Sequence, residues 1–266
     1  MKYIIIACLF LTSLEVSAQA VPDTAKKKLG DTIKKDILTV PDTVRNLHSK
    51  ALAFVPPLAL ITYGALSFPV HPIRRFDYYI RNEVQDKYPT FHSVAESYFQ
   101  FSPIAAVYVL NLAGVEGKNR FVDRTALLGL SAVIFGGSTG IIKKTTHRLR
   151  PNGENTMSFP SGHTGTAFMG AEFLAQEFSG KSVWYGVAGY TVATLTGVFR
   201  IGNRDHWFSD TVAGAGIGML STKAAYFIYP HIRNLLTHTD QKTGRTATLM
   251  PSYQDGVPGL SLAMRL

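Results

Sequence analysis

From Ala51 onward the chain alternates long apolar stretches with short polar ones. The apolar stretches fall at about 51 to 68, 97 to 115, 125 to 142, 164 to 178, 183 to 199 and 211 to 229. Continuous apolar runs of this length, without the alternation of a half-buried strand, predict helices, and six of them predict an all-α fold: a six-helix bundle with its polar motifs at helix ends. Gly136, Gly137, Gly140, Gly214, Gly216 and Gly218 are small enough to let helices approach closely. Several runs are shorter than the ~20 apolar residues that a bilayer core requires. Pro56-Pro57 interrupts the first, and Glu172, Gln176 and Glu177 fall within the fourth. An integral bundle and a bundle docked on a membrane surface therefore both stay open.

The flanks differ from this pattern. In residues 1–20, Lys2, the apolar run Ile4 to Leu14 and the small-residue site Ala18-Gln19-Ala20 predict an export signal, with a retained anchor as the alternative. Cys8, the one cysteine, falls inside it, so the exported chain is expected to lack thiols. Residues 21–50 read as a polar, lysine-rich linker with Val-Pro-Asp-Thr at 21–24 and again at 40–43, and a transient helix over Thr24 to Leu38. The helical domain is placed at 51–238. In the tail, 239–266, Thr246 to Tyr253 and Gly259 to Leu266 predict a β-hairpin of unassigned role.

A formal charge of +9 fits an anionic substrate and a negatively charged membrane surface. No interleaving of basic and aromatic residues marks a nucleic-acid surface, so nucleic acid is not expected as a partner. His48, His71, His92, His231 and His238 show no metal-ligand spacing, and no metal or cofactor is expected.

The chemistry concentrates in three polar clusters between Lys143 and Asp210: Lys143 to Pro151, Phe159-Pro160-Ser161-Gly162-His163, and Arg200 to Asp210. Lys143, Arg150 and Arg200 are cations set among apolar segments. No matching set of carboxylates accompanies them, and an apolar interior tolerates such a group only when something negative neutralises it. A phosphate dianion suits, because guanidinium groups present paired donors to tetrahedral oxyanions. Pro160-Ser161-Gly162-His163 precedes an apolar run and predicts a helix start, whose free amides favour an anion. Gly162 permits close approach, and Ser161 offers a hydroxyl. His206 and Asp210 are four residues apart, which on a helix places them on one face, where the carboxylate holds the imidazole in one tautomer. With His163 on another element, two imidazoles approach one phosphate from opposite sides, one attacking phosphorus and the other protonating the departing oxygen. Taken singly, each cluster has an ordinary reading: a turn and cap, a solvated charged end, a surface pair. Their co-occurrence in this order is what points to one site. His147 sits within the first cluster, where a structural or solvent-facing role is expected.

The set K-x6-RP, PSGH and R-x5-H-x3-D resembles the type 2 phosphatidic acid phosphatase family, whose active site is similar to those of class A acid phosphatases and vanadium haloperoxidases. The resemblance spans roughly Ala51 to Tyr229. It implies phosphate binding by Lys143, Arg150, Ser161, Gly162 and Arg200, His163 as the acid, His206 as a nucleophile forming a phosphohistidine, and Asp210 as its orienting partner. It also implies hydrolysis of a lipid phosphate monoester or pyrophosphate without a cofactor, at the periplasmic side of a bacterial envelope membrane. A vanadium-dependent haloperoxidase and a non-enzymatic lipid-phosphate binder are the alternatives. Phe199 departs from the pattern, which usually has serine there. If all six segments crossed a membrane after cleavage at Ala20, the loop carrying Lys143 to Pro151 would lie inside, whereas membrane relatives face their site outward. Placing Lys118, Arg120 and Arg124 on an inward loop makes the first segment the non-spanning one.

Overall fold

The computed structural model describes residues 51–239, 246–254 and 257–265. The predicted export signal and linker lie outside the described residues. After a 3-10 turn at Ala51–Phe54, eight α-helices follow among the described residues: α1 Val55–Leu66, α2 His71–Lys87, α3 Ala95–Phe99, α4 Ser102–Leu112, α5 Phe121–Thr146, α6 Gly162–Phe178, α7 Trp184–Gly202 and α8 Phe208–Leu236. Six of them occupy the six apolar segments. Of the other two, α2 is polar, so apolar run length could not reveal it, and the five-residue α3 overlaps the start of the second apolar stretch.

Local sequence explains where several helices begin and end. Proline stands in the first turn of α1, α2 and α4, where its missing N–H leaves no helical bond unmade. The chain turns by 87° between α1 and α2. Helix α5 stops at His147, whose left-handed backbone (φ 44) ends the helical path while its amide donates to the Lys143 carbonyl.

At the centre, α6 packs against α4, α7 and α8, and α8 packs also against α1 and α5. One core cluster joins Val107, Leu127, Phe173, Phe178 and Tyr226, a second joins Phe135, Met169 and Ile217, and Ala167, Ala171 and Ala193 form a small-residue seam between α6 and α7. The α6–α8 contact is closest at glycine: a Cβ on Gly218 would stand 2.1 Å from the Gly165 carbonyl oxygen, and one on Gly214 would stand 2.5 Å from that of Ser161. Of the glycines expected to mediate packing, Gly214, Gly216 and Gly218 do so. Gly136, Gly137 and Gly140 instead face open space, because their side of α5 has no neighbour.

The charges of the fourth segment are neutralised inside the bundle. Glu172 pairs with Lys223 at 2.6 Å and accepts from Gln176 and Tyr190. Glu177 accepts from Tyr226 at 2.5 Å and from Asn119 at 2.6 Å. Arg124, expected on a basic loop, lies within α5, is buried, and sits 3.5 Å from Glu177. It is a core ion-pair member, so it adds nothing to the loop charge from which orientation was read.

Among the described residues, α5 alone is long and apolar enough to cross a membrane by itself, and only 22% of its apolar window is buried. The bent pair α1–α2 passes the same test jointly, and α4 is apolar but shorter. Beyond α8, strands β1 Thr237–Thr239, β2 Thr246–Gln254 and β3 Val257–Arg265 pair antiparallel in the order β1-β2-β3, with β2 and β3 in register from Thr246↔Arg265 to Gln254↔Val257.

Candidate active site

The three polar clusters, far apart in sequence, lie together where α5 and α7 end and α6 and α8 begin. Backbone and side-chain bonds stitch them. The Ser158 amide donates to the Arg148 carbonyl at 3.0 Å, the Asn152 amide to the Arg204 carbonyl at 3.1 Å, and the Ser161 amide to the Asp210 carbonyl at 3.0 Å. The Trp207 indole donates to the Leu149 carbonyl at 2.8 Å, and the Lys143 ammonium to the Met157 carbonyl at 2.6 Å. The segment from Pro151 to Pro160 is a tight turn, held by the Arg150 amide on the Asn155 carbonyl.

His206 is 3% exposed and precedes α8 rather than lying on it. The helical-face relation expected between His206 and Asp210 therefore does not hold. His206 Nδ1 lies 2.7 Å from the Ser158 carbonyl oxygen and 3.8 Å from Asp210 Oδ2. A carbonyl only accepts, so the proton is on Nδ1 and Nε2 carries the free lone pair. Asp210, fully buried, accepts from the Ser158 hydroxyl at 2.5 Å, the Trp207 amide at 2.9 Å and Arg148 at 2.7 Å.

Arg148 is a hub that the motifs alone did not single out. It reaches Asp210 and Asp77, each at 2.7 Å, and the hydroxyls of Ser209 at 2.8 Å and Ser67 at 3.1 Å, with its guanidinium beside the Phe68 and Trp207 rings. Asp77, buried on α2, also accepts from the Ser209 amide at 2.9 Å and hydroxyl at 2.6 Å. Helix α2 is thereby tied to the start of α8. Its sequence signal was the spacing of Ile73, Phe76, Ile80 and Val84 along a polar stretch, with Asp77 on the same side.

Contrary to expectation, carboxylates do accompany the cations. Arg200, 7% exposed, pairs with Asp205 at 2.8 Å and Glu96 at 3.3 Å, and Asp205 also stands 3.6 Å from Arg150. Sequence reading missed Glu96 because α3 brings it from more than a hundred residues away. Pairing is incomplete: the buried Nε atoms of Arg150 and Arg200 have no hydrogen-bond partner. Two orphaned guanidinium edges of this kind suit an oxyanion.

The start of α6 adds to this. Ser161 precedes its first residue and no side chain caps the helix. A Cβ on Gly162 would meet nothing within 4 Å, so the helix start opens onto space. The Ser161 hydroxyl, expected to face the anion, is fully buried and shared with Thr164 at 2.9 Å.

The electrostatics follow the geometry. Burial pulls the His163 imidazole down to about 4, with Arg200, Arg150 and Lys143 acting in the same direction and Glu96 opposing. Burial also lowers His206 to about 4, opposed by Asp210 and reinforced by Arg200 and Lys143. Both imidazoles are thus held neutral near pH 7. Asp205 is raised, chiefly by burial, although Arg200 and Arg150 hold it back.

None of the motif residues lines an apolar groove of about 720 Å³ that runs between α6 and α7 past Ala175, Gly186, Tyr190 and Leu195. A second apolar cavity, of about 280 Å³, is walled by Val84, Tyr88, Phe91, Val198, Phe199 and Ile201, and so includes the sequence neighbours of Arg200. Phe199 there stacks on Phe91 and tilts against Phe99, so the departure from the motif builds aromatic wall.

Residues 124–233 match the PAP2 superfamily. The chain is 37% identical over 140 residues to a lipid A 1-phosphatase of Porphyromonas gingivalis, covering 52% of this chain and 32% of that protein. It is 26% identical over 182 residues to a probable lipid phosphate phosphatase 4 of Arabidopsis thaliana, covering 50% of this chain and 59% of the relative. The matches thus span about a third and three fifths of these relatives. The crystal structure of a transmembrane PAP2 type phosphatidylglycerolphosphate phosphatase from Bacillus subtilis aligns over 64% of this chain and 94% of its own, with 17% identity and a TM-score of 0.41. The PAP2 superfamily match, residues 124–233, takes in all three polar clusters.

Proposed function

We propose that this protein is a lipid phosphatase that releases phosphate from a phosphorylated lipid through a phosphohistidine, at the periplasmic side of an envelope membrane. The observation that carries this reading is the pair of half-satisfied arginines, part-buried Arg150 and buried Arg200, whose Nε atoms are enclosed without a hydrogen-bond partner. Arg150, Arg200 and Lys143 supply positive charge for the phosphoryl oxygens, with the amides at the start of α6. His206, its Nδ1 proton held by the Ser158 carbonyl, attacks phosphorus through Nε2; a P–N bond forms as the P–O ester bond breaks. The departing oxygen takes its proton from His163, and water then cleaves the P–N bond, giving a proton back to His163. His163 gains the proton it needs when the dianion offsets the cations that depress it.

A lipid A type 1-phosphate is the first substrate to try, from the likeness to the Porphyromonas gingivalis enzyme. The apolar cavity walled by Phe91 and Phe199 and the outward apolar side of α5 suit an amphiphilic substrate presented at a membrane. The test is phosphate release by the detergent-solubilised protein from lipid A 1-phosphate, phosphatidate and undecaprenyl pyrophosphate, with chelator present. Release that is abolished in His206→Ala, with phosphate trapped on His206 in the wild type, supports the reading. Tight lipid binding without release would replace it with a carrier, and halide oxidation after vanadate loading with a haloperoxidase.

A further inference from the structure

Asp205 has no place in the chemistry above, yet it occupies the middle of the site. Its carboxylate reaches Nη1 of Arg200 at 2.8 Å through one oxygen and Nη1 of Arg150 at 3.6 Å through the other. Asn152 Nδ2 holds that second oxygen at 3.2 Å. The backbone fixes the residue as well: the Asp205 amide donates to the Arg200 carbonyl at 3.1 Å, and Arg204 before it takes a left-handed conformation (φ 61). On both arginines Nη1 is the atom engaged by this carboxylate, and on both Nε is buried without a partner.

We propose that Asp205 is a positioning residue that clamps the two guanidinium groups by one atom each and leaves the Nε edge of each free for the phosphoryl oxygens. The proposal rests on the phosphate-site reading above. Long arginine side chains have many rotamers, and holding two of them at one spacing before substrate arrives removes an ordering cost from binding. The clamp also limits electrostatic repulsion between two cations brought close in a half-buried site. Asn152, by fixing the oxygen that faces Arg150, supports the clamp from the turn that follows Arg150.

The opposite role is a carboxylate that competes with phosphate for the arginines, and the two roles predict opposite signs. Removing a negative charge from the site strengthens anion binding if Asp205 competes. It weakens binding if Asp205 positions, because two unheld guanidinium groups no longer match the anion.

The experiment measures the inhibition constant of orthovanadate and of inorganic phosphate for wild type, Asp205→Asn, Asp205→Glu and Asn152→Ala in detergent, together with thermal unfolding. An inhibition constant is set by the molecules that remain active, so a variant that merely folds less well loses maximal rate and keeps its constant. The expected result is a rise of about tenfold or more in both constants for Asp205→Asn, equivalent to losing roughly one charge-assisted bond. Asp205→Glu recovers part of the loss, and Asn152→Ala shows a smaller rise. Unchanged or tighter inhibition in Asp205→Asn overturns the clamp while leaving the phosphatase reading intact. A wild-type protein that neither binds vanadate nor releases phosphate overturns both. Should Asp205→Asn prove too unstable to assay, Asn152→Ala decides: constants equal to wild type overturn the proposal.

Discussion

His206 Nδ1 donates to the Ser158 carbonyl oxygen at 2.7 Å, and the Ser158 hydroxyl donates to Asp210 at 2.5 Å. Asp210 thus acts on the imidazole mainly through the turn that carries Ser158, with a direct separation of 3.8 Å. Removing the imidazole and loosening its support are therefore expected to differ. His206→Ala should cut turnover by at least about 10³-fold. Ser158→Ala keeps the carbonyl and should cost no more than about tenfold in kcat, with an otherwise normal fold. Steady-state kinetics on a soluble phosphomonoester separates the two; equal losses would show that the Ser158 carbonyl alone does not hold the imidazole.

The two depressed imidazoles give stability a pH dependence of definite sign. Both fall from the usual 6.5 to about 4, so between these values the unfolded chain binds more protons than the native one. Their contribution is complete above about 6.5 and is lost as pH falls towards 4. Thermal unfolding in detergent should show a lower midpoint at pH 5 than at pH 7.5, and His206→Gln should flatten that slope.

Catalysis reports the same groups differently. In the free enzyme His206 is competent as a nucleophile above about pH 4, so kcat/KM should fall on the acid side near that value. On the alkaline side kcat should fall as His163 loses its proton in the complex, at a pKa above its free value. His163→Ala should abolish that alkaline limb and slow esters with poor leaving groups most.

Asp77 binds Arg148 and both donors of Ser209 while only 1% exposed. Asp77→Ala leaves those donors unmatched and should cost about 3 kcal/mol or more of stability. Arg148 retains Asp210, so partial activity at low temperature is expected. A melting curve and an activity assay at two temperatures check this.

Gly214 admits no side chain: a Cβ would stand 2.5 Å from the Ser161 carbonyl oxygen, which is backbone. Gly214→Ala should destabilise by about 2 kcal/mol and displace the start of α6. Gly137→Ala, where nothing lies within 4 Å, should be neutral and serves as the control.

The sequence disclosed the six apolar helices and the three clusters because both are local patterns: run length for the helices, fixed spacing for the motifs. The carboxylates were another matter. Asp205 stood inside the third motif, but only distances show it between two arginines, and Glu96 comes from a five-residue helix with no periodic signal. Asp77 was hidden because attention to apolar runs passes over a helix whose inward side holds an ion. The His206 tautomer rests on a main-chain carbonyl, which no side-chain pattern encodes. Arg124 shows the converse hazard, since a charge counted in a loop proved to be core.

The glycine contact between α6 and α8 carries an evolutionary consequence. With carbonyl oxygens seated where side chains would be, the spacing between the PSGH turn and the start of α8 has almost no room to drift. Relatives that acquire new headgroup preferences would have to vary the perimeter, the stretch from Tyr88 to Phe99 and the aromatic wall at Phe199, while the two central helices stay as an inherited chassis.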